Sequence, residues 1–440
     1  MLCEETAEKE VIVRSLAGAF GFLRGNILVL TASGSLGMFS RAMVFPYVPL
    51  YVLALGGEPE QIGIVYALGP LGGLLAFPLA GYLADHTNRA WLIAAAGYFS
   101  AAAVLINAVA PSWEWVAAAM LIRGFAVFHF PASSALVADS LPAGNRGRGM
   151  ATMTALTGGL ALFAPFVAGV AIDAWGVEEG MRILYWVMGT AYAAGATINL
   201  IFIRETRKPP AEAVSATNLG QTLRRSYSGI PALLSGFPRS LRAVSVVIIL
   251  CFIANGLASP FWVVYAKTHI GLTASQWGLI LLVEFGLRNL TTIPAGFLTD
   301  RFGRTRFIVA ALLVTAATPL YLLAGSFGFV LAIRCVIGVA AAFFSPAMGA
   351  LLADIVPSAI RGRVMAAIGR GSVSVGSSSG GTGGPGTGFL TTLPLMVAAL
   401  FGGVLYAWSP AIPFLCVFGL TVVALGVSIA FVRDPKKAEA

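Results

Sequence analysis

Charge is what this chain has least of. Only 11% of its 440 residues are Asp, Glu, Lys or Arg, against 58% hydrophobic, whereas a water-soluble globular chain carries roughly 25% charged residues. That scarcity excludes a string of soluble domains, which length alone would put at about three. Histidine is nearly absent: His86, His129 and His269 stand in separate segments, so the clustered His or Asp of a membrane enzyme is missing. Cysteine is equally sparse. Cys3, Cys251, Cys335 and Cys416 are scattered, with no CxxC pair to suggest a metal or a disulfide. No Walker motif is present, so direct ATP drive has no support. The first 25 residues lack a compact apolar core and carry Glu4, Glu5 and Glu8 early, so they read as a short cytosolic segment and not as a cleavable leader.

What the chain does have is apolar runs separated by short polar gaps. A helix needs about 20 apolar residues to cross the hydrocarbon core. The runs predict spans at 26–55, 60–84, 90–110, 113–138, 150–173 and 181–203, then at 243–267, 274–299, 306–325, 327–352, 388–408 and 411–432. Backbone groups in lipid must find partners within their own segment, which makes these runs helices, and they lack the period of two that barrel strands require. The expected organisation is a cytosolic segment 1–25, a six-helix bundle 26–203, a cytosolic linker 204–242, a second bundle 243–433 and a tail 434–440.

The basic residues set the expected orientation. Of 28 Lys and Arg, 22 fall in the termini and in one set of alternate loops, and only Arg182 and Lys267 in the opposite loops. Positive charge stays on the cytosolic side, so both termini are expected there, in the cell membrane. The net charge of +9 is then explained by anionic lipid headgroups, with no nucleic-acid partner.

The two halves repeat one another. GYLADHTNRA begins at Gly81 and GFLTDRFGRT at Gly296, 215 residues later. The same offset carries Gly56 to Gly271, Gln61 to Gln276, Gly63 to Gly278, Pro131 to Pro346, Asp139 to Asp354, Arg146 to Arg361 and Arg148 to Arg363. A duplicated unit of six spans inserts both copies in the same orientation, related by an axis along the membrane normal. Such parallel repeats place a solute site near the midplane between the halves and move by rocking. The register fails after Arg363, and the Gly/Ser-rich stretch 371–388 reads as an extension of the cytosolic loop or as unwound backbone lining a cavity.

At these residues the chain resembles the major facilitator superfamily over its whole length. That family's signature between its second and third helices runs G-x-x-x-D-R-x-G-R-[KR]. Gly296, Asp300, Arg301, Gly303 and Arg304 match it in the second half; Gly81, Asp85 and Arg89 match it in the first, where His86 and Asn88 replace Arg and Gly. Asn tolerates the left-handed turn that Gly permits, so the turn is expected in both halves. A Gly near the helix end is expected to admit a neighbouring helix closely. The resemblance implies an all-α membrane protein of twelve transmembrane helices in two pseudo-symmetric six-helix bundles. It also implies that these loops, with Asp139, Arg146, Arg148, Asp354, Arg361 and Arg363, form conformational latches. The plainer reading is a tight turn plus orienting charge.

Ionisable side chains inside spans need a reason, since each costs about 2.5–3.5 kcal/mol at mid-bilayer even on lenient scales. Arg41, Arg123, Glu284, Arg288, Arg334 and His129 are such residues. In the family helices 1, 4, 7 and 10 line the central path, which makes Arg41, Arg123 and Arg334, with Asn255 and Trp262 of helix 7, candidates for contact with solute. Trp262 and Tyr265 also suit the aromatic belt at the outer interface. Glu284 and Arg288 stand four apart in the order that favours an ion pair; Glu284, Arg288 and His129 are the candidates for proton coupling. Four embedded arginines against one embedded acid favour a solute of anionic or electron-rich character. The family's drug antiporters carry a glycine–proline signature in helix 5, weakened here to Ala164-Pro165-Phe166-Val167-Ala168-Gly169.

The expectation is therefore a secondary transporter, not an enzyme, that moves a small organic solute by alternating access with proton coupling. It would need no cofactor or metal and would act as a monomer in the bilayer. Proton-driven efflux of amphiphilic drugs and a transporter-like receptor that does not translocate are the alternatives.

Overall fold

The computed structural model describes residues 23–141, 146–206, 237–356, 364, 367–369 and 388–434. Among these residues no β-strand forms, and the helices follow one another in twelve segments. The first half holds α1 (Asn26–Val44, a tighter turn Phe45–Tyr47, then Val48–Ala54), α2 (Pro59–His86) and α3 (Arg89–Ala108). It continues with α4 (Trp113–Gly124, Phe125–Phe128, His129–Ser140), α5 (Arg146–Ala161 and Ala164–Trp175) and α6 (Val177–Phe202). The second half holds α7 (Arg239–Ala258 and Phe261–Thr268), α8 (Ala274–Phe302), α9 (Arg304–Ala316 and Thr318–Leu323), α10 (Phe327–Ile355), α11 (Phe389–Trp408) and α12 (Ile412–Phe431). Nine segments among the described residues are long and apolar enough to cross a membrane, and a tenth if α2, which bends by 48° between Ala76 and Leu79, is counted as one span. The other two, α6 and α8, have the length, at 26 and 29 residues, but less apolarity; α8 carries Glu284, Arg288, Asp300 and Arg301.

Local chemistry accounts for where these helices start and break. The repeated Gly56 and Gly271 have φ of +79° and +78°, a conformation open to glycine at little cost. The repeated Gln61 and Gln276 close capping boxes at the starts of α2 and α8, with Glu58 and Thr273 as N-caps. Each such box satisfies backbone donors that a helix start leaves free. Pro46 sits in the tighter turn of α1, Pro165 starts the second part of α5, and Pro260 separates the two parts of α7, because proline removes a donor and crowds the preceding turn. One expected turn differs. Gly303 takes φ of +95°, whereas Asn88 has φ of −66° and caps α3, its side chain accepting from Trp91 N. Asn can cap a helix through its own oxygen, so it has no need of the left-handed turn.

The halves meet along two seams, α2 against α11 and α5 against α8, with the end of α1 against the end of α7. Glycine makes both seams close. A Cβ on Gly63 would lie 2.6 Å from Ala399 O, one on Gly403 2.7 Å from Pro59 O, and one on Gly278 2.4 Å from Pro165 O. These contacts lie at one end of the bundle, opposite the end that carries Arg89, Arg204, Arg304 and Asp434. We call these the far end and the basic end.

Parts of the sequence reading fall elsewhere. Arg361, Arg363, most of the linker 204–242 and the stretch 371–388 up to Gly388 lie outside the described residues; α11 starts directly after Gly388.

Candidate functional site

A cavity of about 400 Å³ opens inside the first half. It runs from Leu30, Ile93 and Asn199, near the basic end, to Arg41, Gly69 and Arg123. At 1.5 Å per residue, Arg41 lies about 22 Å along α1 from Asn26, at mid-span. Small residues make the room: Gly34, Gly37, Gly97 and Gly195 line it where α1, α3 and α6 face one another. Its described lining residues all belong to the first half, whereas the repeat leads one to expect a site between the halves. The tighter turn at Phe45 is the reason the arginines converge there. It brings the Phe45 ring between two spans, with the guanidinium carbon of Arg41 4.7 Å and that of Arg123 4.4 Å from the ring centre.

The electrostatics of this cavity are one-sided. Among the described residues neither Arg41 nor Arg123 forms an ion pair with a carboxylate, and no Asp or Glu lines the cavity. Arg123 instead directs a nitrogen at Met120 Sδ, 3.7 Å away. His129 also lines the cavity, its Nδ1 2.6 Å from Ala126 O and its ring packed on Phe130. The sequence reading missed two α6 residues here, Tyr192 and Asn199. Asn199 is buried with its side-chain oxygen unpartnered. Neither has a charge to mark it, and the helix face that carries them is visible only once α6 packs on α1.

The second half holds its charges quite differently. Glu284 pairs with Arg334, not with Arg288: Arg334 Nε donates to Glu284 Oε2 at 2.8 Å and its NH2 group lies 2.6 Å from the same oxygen. Helical spacing had suggested Arg288, one turn along α8. The pairing is decided by α10, which packs so closely that a Cβ on Gly338 would lie 2.9 Å from Glu284 Cγ. Both partners are buried, at 1% and 0% exposure. Trp262 and Trp277 cover the guanidinium at 4.8 and 5.6 Å, and Tyr321, whose hydroxyl donates to Trp262 O, completes the cover. Trp262 is therefore wholly buried and not part of an interfacial belt. Asn255 is buried too, with its side-chain oxygen unpartnered.

The charged loops at the basic end pair within each half and in the same way. Arg89 donates to Asp139 at 2.8 Å, and its counterpart Arg304 pairs with Asp354 and, at 3.2 Å, with Asp300. In each half an acid just past the sixth helix caps the third: Glu205 accepts from Arg89 N, and Asp434 from Thr305 N. Arg146 Nε donates to Ala138 O. Arg148 and Asp85 are exposed, and Arg301 lies over Phe302. A Cβ on Gly81 or Gly296 would meet nothing within 4 Å, so close approach of a neighbouring helix is not what these glycines provide here.

Two similar bundles of membrane-spanning helices, with charged groups held at mid-span, define a polytopic membrane transporter. The model of the Major Facilitator Superfamily matches residues 30–243 and again 244–440; the chain belongs to that family. It is similar to a multi-drug resistance efflux pump, PmrA, of Streptococcus pneumoniae, at 25% identity over 87% of this chain and 92% of that one. A multidrug resistance protein, MdtG, of Enterobacter lignolyticus is 26% identical over 62% of this chain and 64% of its own. Among solved structures, the nucleoside transporter NupG superposes with a TM-score of 0.64 at 14% identity, covering 92% of this chain and 98% of that one. A bacterial homolog of the lysosomal transporter Spinster, inward-facing and unoccupied, gives 0.63 at 14% identity, covering 93% and 98%.

Proposed function

We propose that this protein is a secondary transporter that carries a small organic solute with anionic or electron-rich character, bound at Arg41 and Arg123. The observation that carries this reading is the pair of guanidiniums gathered on Phe45 in a cavity that no described Asp or Glu lines. Two like charges at mid-span raise the energy of the empty site, and an anion relieves it; guanidinium suits carboxylates and phosphates through paired hydrogen bonds. The basic end is taken as cytosolic by the distribution of arginines, so the cavity's shallow end faces the cytosol. Glu284 serves proton coupling with Arg334 as its partner: protonation would release the arginine, and ionisation recapture it.

The printed names of the relatives support a second reading, export of chemically diverse amphiphiles. The weak glycine–proline signature in α5 and the cationic cavity count against lipophilic cations as its main cargo. The discriminating experiment is a thermal-shift series on purified protein with salicylate and with tetraphenylphosphonium. Ligand at 100 times its Kd adds about 2.7 kcal/mol to the native state. Stabilisation by salicylate that disappears in Arg41→Ala and Arg123→Ala supports the anion site. Stabilisation by tetraphenylphosphonium alone, unchanged in both variants, overturns it in favour of the second reading.

A further inference from the structure

The far end of the molecule carries a polar contact between the halves that neither the loop signatures nor the cavity accounts for. Asp173 lies in the last turn of α5. Its two carboxylate oxygens accept from the first two backbone N–H groups of α8, Ala274 N to Oδ1 at 2.9 Å and Ser275 N to Oδ2 at 2.8 Å. Those are donors that a helix start leaves free, at the positive end of the helix dipole. The same helix start is gripped a second time. The Tyr47 hydroxyl of α1 lies 2.7 Å from Pro165 O of α5 and 3.0 Å from Ala274 O of α8, and its single proton is shared between carbonyls of opposite halves. The backbones touch here because glycine stands on both sides: a Cβ on Gly169 would lie 2.3 Å from Ala274 O, and one on Gly278 2.7 Å from the Tyr47 oxygen.

Rocking of one half against the other must part this seam. The other seam, α2 against α11, is held by close glycine–backbone approach at Gly63 and Gly403, which costs little to separate. A carboxylate bound to two backbone amides is a charge-assisted contact, of the stronger kind. At the basic end, by contrast, Arg89, Asp139, Arg304 and Asp354 pair within their own halves and do not oppose separation there.

We infer that Asp173 is the positioning residue that clamps α5 to the start of α8 and biases the transport cycle toward the state closed at the far end. The inference is independent of the solute and rests on the seam alone. It also concerns α8, the helix that carries Glu284, so the clamp and the buried ion pair move as parts of one rod.

The test is a distance measurement on the full chain in nanodiscs. Spin labels at Glu179→Cys and His269→Cys, both exposed at the far end, in a background whose native cysteines are replaced by alanine, report the gap between the halves. Asp173→Ala loses both charge-assisted hydrogen bonds and is expected to raise the ratio of far-end-open to far-end-closed molecules by at least about tenfold, the size of one such bond. Asp173→Asn, which keeps one acceptor oxygen and loses the charge, is expected to fall between. Both variants are compared with the parent at a temperature where all three are folded, and the Asn variant serves if the Ala variant does not fold. A distance distribution unchanged in the folded variants, with or without a lower Tm, overturns the inference.

Discussion

At the scale of single residues, the repeat distributes its charges reciprocally. Arg334 and Glu284 of the second half correspond to Ala119 and Gly69 of the first, while Arg123 and Arg41 correspond to Gly338 and Gly256. Each half has glycine or alanine where the other has an ion. The outcome is a buried, neutralised pair in one half and, in the other, two guanidiniums with no carboxylate partner among the described residues. Removing one member of a buried pair leaves an uncompensated charge at a cost of about 3–5 kcal/mol, whereas replacing both with apolar groups is often neutral. Arg334→Met alone is accordingly expected to lose that much stability, and Glu284→Leu/Arg334→Met to recover most of it, as read by thermal unfolding in detergent. Equal losses in the single and the double variant would show that the pair is not the reason for the residue's presence. Glu284→Gln is expected to flatten the pH dependence of transport in proteoliposomes; an unaltered pH profile at full rate removes Glu284 from the coupling.

At the scale of elements, the question is which glycines the helix packing needs. Gly278 faces Pro165 O, and an added Cβ at 2.4 Å has backbone against it. Gly81 has open space. Gly278→Ala is therefore expected to destabilise by about 1–3 kcal/mol through overpacking and to loosen the α5–α8 seam. Gly81→Ala is expected to be neutral or to stabilise by up to about 1 kcal/mol from helix propensity. Thermal unfolding of the two variants side by side checks the contrast. The helix limits themselves follow from local rules. Capping by Gln61 and Gln276 and positive φ at Gly56 and Gly271 place helix starts within a few residues of the predicted spans, and proline at 46, 165 and 260 adds breaks inside spans the pattern reads as continuous.

At the scale of the whole molecule, the two halves are joined at the far end along two close seams, and the rocking proposed above requires those seams to part. The Asp173 side chain reaches Ser275 N at 2.8 Å, so a short bifunctional methanethiosulfonate reagent can span these positions once both are cysteine. Asp173→Cys/Ser275→Cys is expected to stop transporting when crosslinked and to regain transport when the crosslink is reduced. Continued transport by fully crosslinked protein would show that this seam stays closed through the cycle. The cavity that holds Arg41 and Arg123 is lined, among the described residues, by the first half, so parting of the seams would change its access more than its walls.

Membrane residence, the segment pattern, the duplication and the family were all determined by the sequence itself. They rest on composition, on runs of about 20 apolar residues and on a fixed offset between matching positions, and these are linear properties of the chain. The choice of partner for Glu284 was decided only by tertiary structure. Spacing along α8 offers Arg288, but helix packing across Gly338 brings in Arg334 from 50 residues away. The burial of Trp262, the membership of Tyr192 and Asn199 in the cavity, and the grip of Asp173 on α8 are likewise products of packing. Each depends on which helix faces turn toward one another in space, a relation between distant residues that no local pattern encodes.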